Sequence, residues 1–145
     1  MSNLYHYRCT VRRTIDGDTI DVDIDLGFSV ILKNQRIRLA NIDTPEVRTR
    51  DEREKKFGLM AKQFVATYCY EGAEVIIETD ISEQDKFGRI LGTVWCSGLI
   101  ENLNKVLLDM NLAVEYNGKS KTEIREEHEK NWEILDAENG VQNPE

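Results

Sequence analysis

The sequence is poor in cysteine and has no long apolar run. These two features argue against a zinc-binding protein and against a membrane-spanning one. It contains three cysteines, Cys9, Cys69 and Cys96, which are far apart and form no CxxC pair. This spacing does not support a zinc site, so we expect reduced thiols in the core. No apolar run approaches the roughly 18 residues of a membrane span, so we expect no membrane partner. The first residues lack the apolar segment of a secretory signal, which predicts an intracellular or phage-encoded protein, or a secreted one whose signal has been removed.

The sequence also lacks an excess of positive charge. Its 19 lysines and arginines face 27 aspartates and glutamates, for a net charge of −8. Because nucleic-acid backbones bind lysine and arginine, this balance argues at first against such a partner. The charge is uneven, however: residues 121–145 contain three basic and eight acidic residues, whereas residues 48–56 contain five basic and three acidic ones. A nucleic-acid partner is therefore not excluded.

Residue periodicity predicts five strands and three helices. Alternation of apolar and polar residues is typical of strands, and it covers residues 5–11, 20–26, 30–42 (with a bulge near 33–34), 75–78 and 90–96. Helical periodicity covers residues 58–68, 101–110 and 122–139, with Thr122 as an N-cap, a loop over 44–57 and a turn over 80–89. A helix between the third and fourth of five strands is the element order of an OB-fold. We predict a mainly β, α+β protein: one domain over residues 1–145, with a five-stranded OB-fold barrel, three helices and a disordered tail from about residue 140.

Two carboxylates flank a glycine in the stretch Ile15-Asp16-Gly17-Asp18-Thr19. Their oxygens could bind a hard cation, or the stretch could be a solvated turn. Asp18 has the same strand parity as Ile20, which places it on the core side at a strand end. We therefore expect Asp18 to have a polar or charged partner.

Two further polar clusters follow. Asp43 and Glu46, in Arg38 through Asp43-Thr44-Pro45-Glu46, stand where a strand passes into a loop, a place where a scaffold presents side chains rigidly. Alternatively, Arg38 pairs with an aspartate of the outer face, and Thr-Pro-Glu begins a helix. The third cluster, Asp85-Lys86-Phe87-Gly88-Arg89, is a turn in which Arg89 could simply be solvated.

Together, the three clusters resemble the staphylococcal nuclease-like (thermonuclease) family in order, spacing and intervening elements. Phe57-Gly58 before the first helix and Gly98 before the second also match. The resemblance covers roughly residues 11–135. It implies an OB-fold barrel and a calcium-dependent endonuclease that acts on DNA and RNA.

The resemblance also implies a metal site. By position, Asp18 and Asp43 are similar to the calcium-binding carboxylates, and the backbone carbonyl of Thr44 to a third ligand. Asp16 is similar to a carboxylate that reaches the ion through water. Such an oxygen-only set suits Ca²⁺, whose charge would keep clustered carboxylates ionised.

The same comparison assigns catalytic roles. Glu46 matches the family's proposed general base, and Arg38 and Arg89 match the two arginines that grip the scissile phosphate. Phosphodiester hydrolysis needs neutralisation of the phosphoryl oxygens and an in-line water. The planar fork of arginine suits two phosphate oxygens.

The substrate-binding residues are expected beside this site. We assign them to Arg48 and Arg50 of the basic stretch over residues 48–56, and to Lys86 and Phe87 of the third cluster. The alternative for the basic stretch is that its charges are merely solvated. Phe87 could stack on a base or sugar but cannot donate a hydrogen bond to phosphate. The acidic balance predicts weaker polynucleotide binding than in the family's basic members.

The C-terminal part matches the family less well, because the family's last turn and its tryptophan have no good counterpart. We expect Trp132 to pack in the core rather than to stack on a base. His128 lies on the same helical face, and we expect it to be structural rather than catalytic.

Two other functions compete with the nuclease. One is a catalytically silent OB-fold module that binds single-stranded nucleic acid or a modified peptide. The other is a calcium-binding structural protein, which leaves the two arginines unexplained. We expect a monomer without an obligate protein partner.

Overall fold

Seven strands and three helices make up the described part of the chain, residues 4–84 and 88–142 of this computed structural model. In chain order they are β1 (His6–Asp16), β2 (Thr19–Gly27), β3 (Val30–Leu39), β4 (Ile42–Asp43), α1 (Glu52–Tyr68), β5 (Glu74–Gln84), β6 (Ile90–Cys96), α2 (Leu103–Asp109), β7 (Val114–Glu115) and α3 (Lys121–Gln142). None of these described helices has the length and apolar character that would let it cross a membrane.

Five of the strands close into a barrel in the spatial order β1-β2-β3-β6-β5. Neighbouring strands are antiparallel except for β3 and β6, which run parallel and pair Arg38 with Leu91. The short strands β4 and β7 form a separate two-stranded sheet. The predicted α+β fold, a five-stranded barrel with three helices, is confirmed.

Two asparagines in the third predicted strand adopt left-handed backbone conformations, and the second of them makes the strand shorter than expected. Asn34 has a φ of 56°, and the register between β2 and β3 shifts beside it, which confirms the predicted bulge. Asn41 has a φ of 66°, so the chain turns there and residues 42–43 form β4. The prediction of one strand through residue 42 was wrong. Asparagine tolerates this φ, and side-chain alternation does not reveal it.

Helix α1 begins at residue 52 rather than at residue 58, so the predicted loop over 44–57 is too long. Asp51 is the N-cap, and its carboxylate accepts hydrogen bonds from the backbone N–H groups of Arg53 and Glu54. The first turn of the helix is charged and mostly exposed. It therefore has no apolar periodicity from which a helix could be recognised.

Helix α3 begins with a capping box rather than with Thr122 as its N-cap. The Ser120 hydroxyl accepts a hydrogen bond from Glu123 N, and the Glu123 carboxylate accepts one from Ser120 N. This reciprocal pairing satisfies two N–H groups that the helix leaves without partners. The helix continues to Gln142. The predicted tail stays a prediction, since residues 143–145 lie outside the described part.

Strand β5 extends to Gln84, further than the predicted residue 78. The turn predicted over residues 80–89 therefore starts too early. Residues 85–87 of that turn lie outside the described part.

The core combines the barrel interior with apolar faces of the helices. Its buried members come from all five barrel strands and from α1 and α2, among them Val11, Ile20, Ile37, Ile77, Val94, Ala61, Val65, Leu103 and Leu107. Cys9, Cys69 and Cys96 are also buried, and none forms a disulfide, as predicted. Trp132 of α3 is 1% exposed and stacks on Phe57 of α1 with ring centroids 5.4 Å apart. The predicted packing role of Trp132 is therefore observed.

A buried asparagine ties α2 to the barrel near the pairing of β3 with β6. The Asn104 side-chain amide donates to the carbonyls of Ala40 (3.0 Å) and Gly92 (3.2 Å), and its oxygen accepts from Val94 N at 3.2 Å. Ala40 N donates in turn to Gly92 O at 2.8 Å. One side chain thus serves three backbone groups where the parallel ladder ends.

We expect Asn104→Ala to lower the free energy of unfolding by about 2–4 kcal/mol, because buried backbone groups lose their partners. Urea unfolding followed by circular dichroism measures the change. Asn117→Ala, at an exposed asparagine, is the control and should stay within about 0.5 kcal/mol of the wild type. An equally small effect of Asn104→Ala would contradict this account.

Candidate active site

Three separate segments meet at one rim of the barrel. Asp18 lies in the turn between β1 and β2, and the next residue, Thr19, pairs with Arg38 of β3. The carbonyl of Asp18 accepts a hydrogen bond from Leu39 N at 2.8 Å, and its carboxylate accepts one from Thr44 N at 3.1 Å. These bonds bring the turn, the end of β3 and the segment after β4 into contact.

Asp18 faces inward and has partners, as strand parity predicts. It is only 8% exposed. Its Oδ1 accepts a hydrogen bond from the Thr19 hydroxyl at 3.0 Å, and its Oδ2 accepts the one from Thr44 N. The Arg38 guanidinium supplies the compensating positive charge.

Arg38 lies between two carboxylates. Its Nη2 is 3.3 Å from Asp18 Oδ2 and 3.3 Å from Asp43 Oδ1, and the side chains of Arg38 and Asp18 are each 12% exposed. Its Nη1 donates to the carbonyls of Leu39 (2.9 Å) and Ile42 (2.8 Å). These bonds orient the guanidinium. The alternative that Arg38 only pairs with an outer-face aspartate is wrong.

The outer-face position is taken by another arginine. Asp21 pairs with Arg36, whose Nε lies 2.8 Å from Asp21 Oδ1. Arg13 approaches the same carboxylate at 3.3 Å. Arg38 therefore does not pair with Asp21 and contacts the carboxylates of the rim instead.

Asp16 and Glu46 add two more carboxyl groups to the rim. Burial raises the pKa of Asp16 and the charge of Asp18 adds to the rise, while Lys62, Arg48 and Arg36 oppose it. Partial desolvation also raises the pKa of Glu46, although the residue is exposed, and the nearby charges of Asp18, Asp16 and Asp43 act in the same direction. The site is thus a cluster of like charges, which a cation would stabilise.

Close approaches between backbones hold the Glu46 segment against α1. A Cβ on Gly58 would lie 2.7 Å from the Glu46 carbonyl oxygen and 2.8 Å from that of Pro45. Glu46 N also donates to the Glu54 carboxylate at 3.2 Å. Gly17 is similarly tight, since a Cβ there would lie 2.8 Å from Ala61 Cβ. The glycines let α1 serve as the wall of the site.

His128 of α3 joins the site, which the sequence did not indicate. Its Nε2 lies 2.9 Å from Asp43 Oδ2. Its helical face correctly predicted burial, since the residue is 5% exposed. The partner could not be predicted, because Asp43 is 85 positions away in the sequence. Tyr116 was also missed, and its ring lies 5.9 Å from the Arg38 guanidinium carbon.

The other predicted site residues are placed less completely. Arg89 immediately precedes β6, and its neighbour Ile90 pairs with Ile37, so its backbone lies beside the strand that carries Arg38. Arg48 is close enough for its charge to act on Asp16, and Arg50 is exposed. Lys86 and Phe87 lie outside the described residues.

Two other basic residues of the stretch over residues 48–56 contribute to the packing of α1 against α3. Arg53 and Lys56 lie in the first turns of α1 and both pair with Asp136 of α3, at 3.2 and 3.4 Å. They therefore contribute to the contact between α1 and α3. Arg48, which precedes the helix, is the residue of this stretch whose charge acts on Asp16 at the rim.

The donor set at the rim fits a hard cation. Asp18 and Asp43 both lie 3.3 Å from one nitrogen of Arg38, so their carboxylates stand at the same place on the rim. The neighbouring Thr44 hydroxyl is buried and has no hydrogen-bond partner among the described residues. Within the described ranges, no three His, Cys, Asp or Glu side chains form a metal-binding group. A cation here would need backbone and water oxygens as well, a mixture typical of Ca²⁺.

Comparison with known proteins agrees with the family resemblance that the sequence motifs indicate. A family model described as staphylococcal nuclease homologue matches residues 36–141. The chain is 33% identical to a thermonuclease of Staphylococcus hyicus over 83% of this chain and 63% of that protein. It is 30% identical to a micrococcal nuclease of Shigella flexneri over 86% and 68%, and 34% identical to protein ParB of Escherichia coli over 77% and 54%. The chain thus spans about half to two thirds of the length of these relatives.

We expect Gly58→Ala to destabilise the protein, although alanine normally favours a helix by about 0.5–1 kcal/mol over glycine. The added Cβ collides with the backbone of residues 45–46, and such overpacking costs about 1–3 kcal/mol. Urea unfolding tests this, with Lys55→Ala at an exposed position of the same helix as the control. A stabilised Gly58→Ala variant would show that the wall is not tight.

Proposed function

Because this chain belongs to the staphylococcal nuclease family, we propose that it is a calcium-dependent nuclease that hydrolyses phosphodiester bonds in DNA and RNA. The observation that carries the proposal is the meeting of Asp18, Asp43 and Arg38 at one rim, with two carboxylate oxygens 3.3 Å from a single guanidinium nitrogen. Charges of both signs at one place suit a reaction in which a cation and an anionic phosphate must be held together.

The metal site consists of oxygen donors from two segments. Asp18 and Asp43 would hold Ca²⁺ with the backbone carbonyl of Thr44, and Asp16 would act through a water. Bound there, the ion would polarise the phosphoryl group and favour ionisation of a water. The hydrogen bond from Thr44 N to Asp18 supports this assignment, because it fixes the two segments relative to each other.

Glu46 is the proposed general base. Its carboxylate would take a proton from the attacking water, whose oxygen would bond to phosphorus as the ester P–O bond breaks. The leaving oxygen would take up a proton from solvent. Two contacts with α1 keep its backbone in place: the close approach at Gly58 and the hydrogen bond to Glu54. Such fixation suits a base that must meet a water in one geometry.

Arg38 and Arg89 are the proposed phosphate-binding residues. Arg38 is oriented by two backbone carbonyls through Nη1, and its Nη2 lies on the side of the carboxylates. Arg89 stands next to the neighbouring strand β6. Donors from two adjacent strands could neutralise different oxygens of one phosphoryl group as negative charge develops there.

The polynucleotide would extend past the rim over Arg48 and Arg50. Lys86 and Phe87, which lie outside the described residues, complete the proposed set of substrate-binding residues. The influence of Arg48 on Asp16 supports its part in this path. A monomer without an obligate protein partner stays our expectation.

We expect single-stranded DNA to be degraded at low salt with Ca²⁺ and to remain intact with EGTA. Glu46→Gln keeps the shape but removes the base, so the cleavage rate should fall by about 10²–10⁴-fold. Gel electrophoresis measures cleavage, and fluorescence anisotropy measures binding. Glu71→Gln, at an exposed glutamate, is the matched control.

Two outcomes would contradict the proposal. Cleavage by Glu46→Gln at the wild-type rate would remove the role of this residue. Binding without cleavage by the wild type under any divalent cation would favour the silent OB-fold module.

We expect Arg48→Gln to weaken oligonucleotide binding and to reduce the slope of log affinity against log salt by about one, as for the loss of one phosphate contact. Anisotropy titrations of the Glu46→Gln protein at several salt concentrations test this without cleavage. Arg53→Gln is the control from the same basic stretch, since Arg53 pairs with Asp136. An unchanged slope for Arg48→Gln would exclude Arg48 from the path.

A further inference from the structure

The histidine that contacts Asp43 has a place in the metal site. His128 is 5% exposed, and its Nε2 is 2.9 Å from Asp43 Oδ2. We propose that His128 is a positioning residue that fixes the Asp43 carboxylate for Ca²⁺, an inference that rests on the calcium site of the proposed function. Because a carboxylate accepts, His128 Nε2 donates this hydrogen bond.

The imidazole is held by an aromatic stack. Its ring lies 6.1 Å from that of Trp132 at an interplanar angle of 20°, and Trp132 stacks on Phe57 at 5.4 Å and 5°. The Arg125 guanidinium covers the Trp132 ring from 4.9 Å and pairs with Asp51 at 2.7 Å. The stack therefore runs from α1 to α3 and sets the direction of the histidine.

Packing alone does not explain a histidine at this position. Nδ1 is buried without a hydrogen-bond partner among the described residues, and burying such a group costs free energy. An apolar side chain would fill the same place without that cost. The polar contact that the structure gives the ring in return is the one to Asp43.

The consequence for Asp43 is that both of its oxygens are held. Arg38 lies 3.3 Å from Oδ1, and His128 lies 2.9 Å from Oδ2. The side chain is thus oriented from two sides before it binds a cation. Partners that orient a metal-binding carboxylate in this way typically account for about 10–100-fold in metal affinity.

The experiment is a calorimetric titration of Ca²⁺ into the protein without nucleic acid. His128→Gln places an amide nitrogen where Nε2 stands, whereas the amide of His128→Asn is one carbon too short to reach. We expect His128→Gln to bind Ca²⁺ within about threefold of the wild type, and His128→Asn and His128→Leu to bind about 10–100-fold more weakly. Asn131→Ala is the matched control, because Asn131 also anchors α3, through Ala113 O at 3.2 Å. It should leave the calcium affinity unchanged.

Urea unfolding of each variant separates this role from a structural one. Equal calcium affinities of the wild type, His128→Asn and His128→Gln would overturn the inference, as would a loss in Asn131→Ala matching that in His128→Asn. The comparison of His128→Gln with His128→Asn still tests the inference if His128→Leu does not fold. A protein that binds Ca²⁺ in a His128-dependent way but cleaves no nucleic acid would refute the nuclease and leave this inference intact.

Discussion

The rim of the barrel depends on the placement of one guanidinium between two carboxylates. Asp18 is almost fully buried, and a buried carboxylate without compensation costs several kcal/mol. Arg38 provides that compensation and also contacts Asp43. Its orientation is fixed by carbonyls of Leu39 and Ile42, which come together because the chain turns at Asn41. The charge balance of the site therefore depends on the backbone turn at Asn41, because this turn positions the carbonyls that orient Arg38.

Two of the helices also hold residues of the site. A barrel rim alone would present its carboxylates on loops. Here α1 contacts the Glu46 segment through the close approach at Gly58, and α3 reaches Asp43 through His128. Arg125 joins the two helices, since it bonds to Asp51 and Glu54 of the α1 start. Glu54 in turn accepts the hydrogen bond of Glu46 N. Rigid elements on two sides thus hold the loop residues, as preorganised sites require.

The barrel could be predicted from the sequence because alternation records which side chains face inward. The same parity placed Asp18 at the core side of a strand end, where it lies. Local patterns failed where polar side chains act on the backbone. The Asp51 cap started α1 early, the capping box of Ser120 and Glu123 displaced Thr122, and the left-handed Asn41 ended β3. The contact between His128 and Asp43 was beyond any local pattern, because the two residues are 85 positions apart and meet only through tertiary packing.

The acidic composition is a poor guide to the field at the rim. Three of the seven acidic residues of α3 form ion pairs: Glu127 with Lys119, Glu129 with Arg125, and Asp136 with Arg53 and Lys56. These are surface pairs, each worth about 0–1 kcal/mol, and each places a positive charge beside the negative one. Beside Asp16 itself the charges of Lys62, Arg48 and Arg36 are positive. A polyanion approaching the rim would meet these cations together with the carboxylates of the site, while charges beyond about 10 Å are largely screened at 0.1 M salt. The net charge of −8 therefore does not describe the mixture of charges that lies around Asp16.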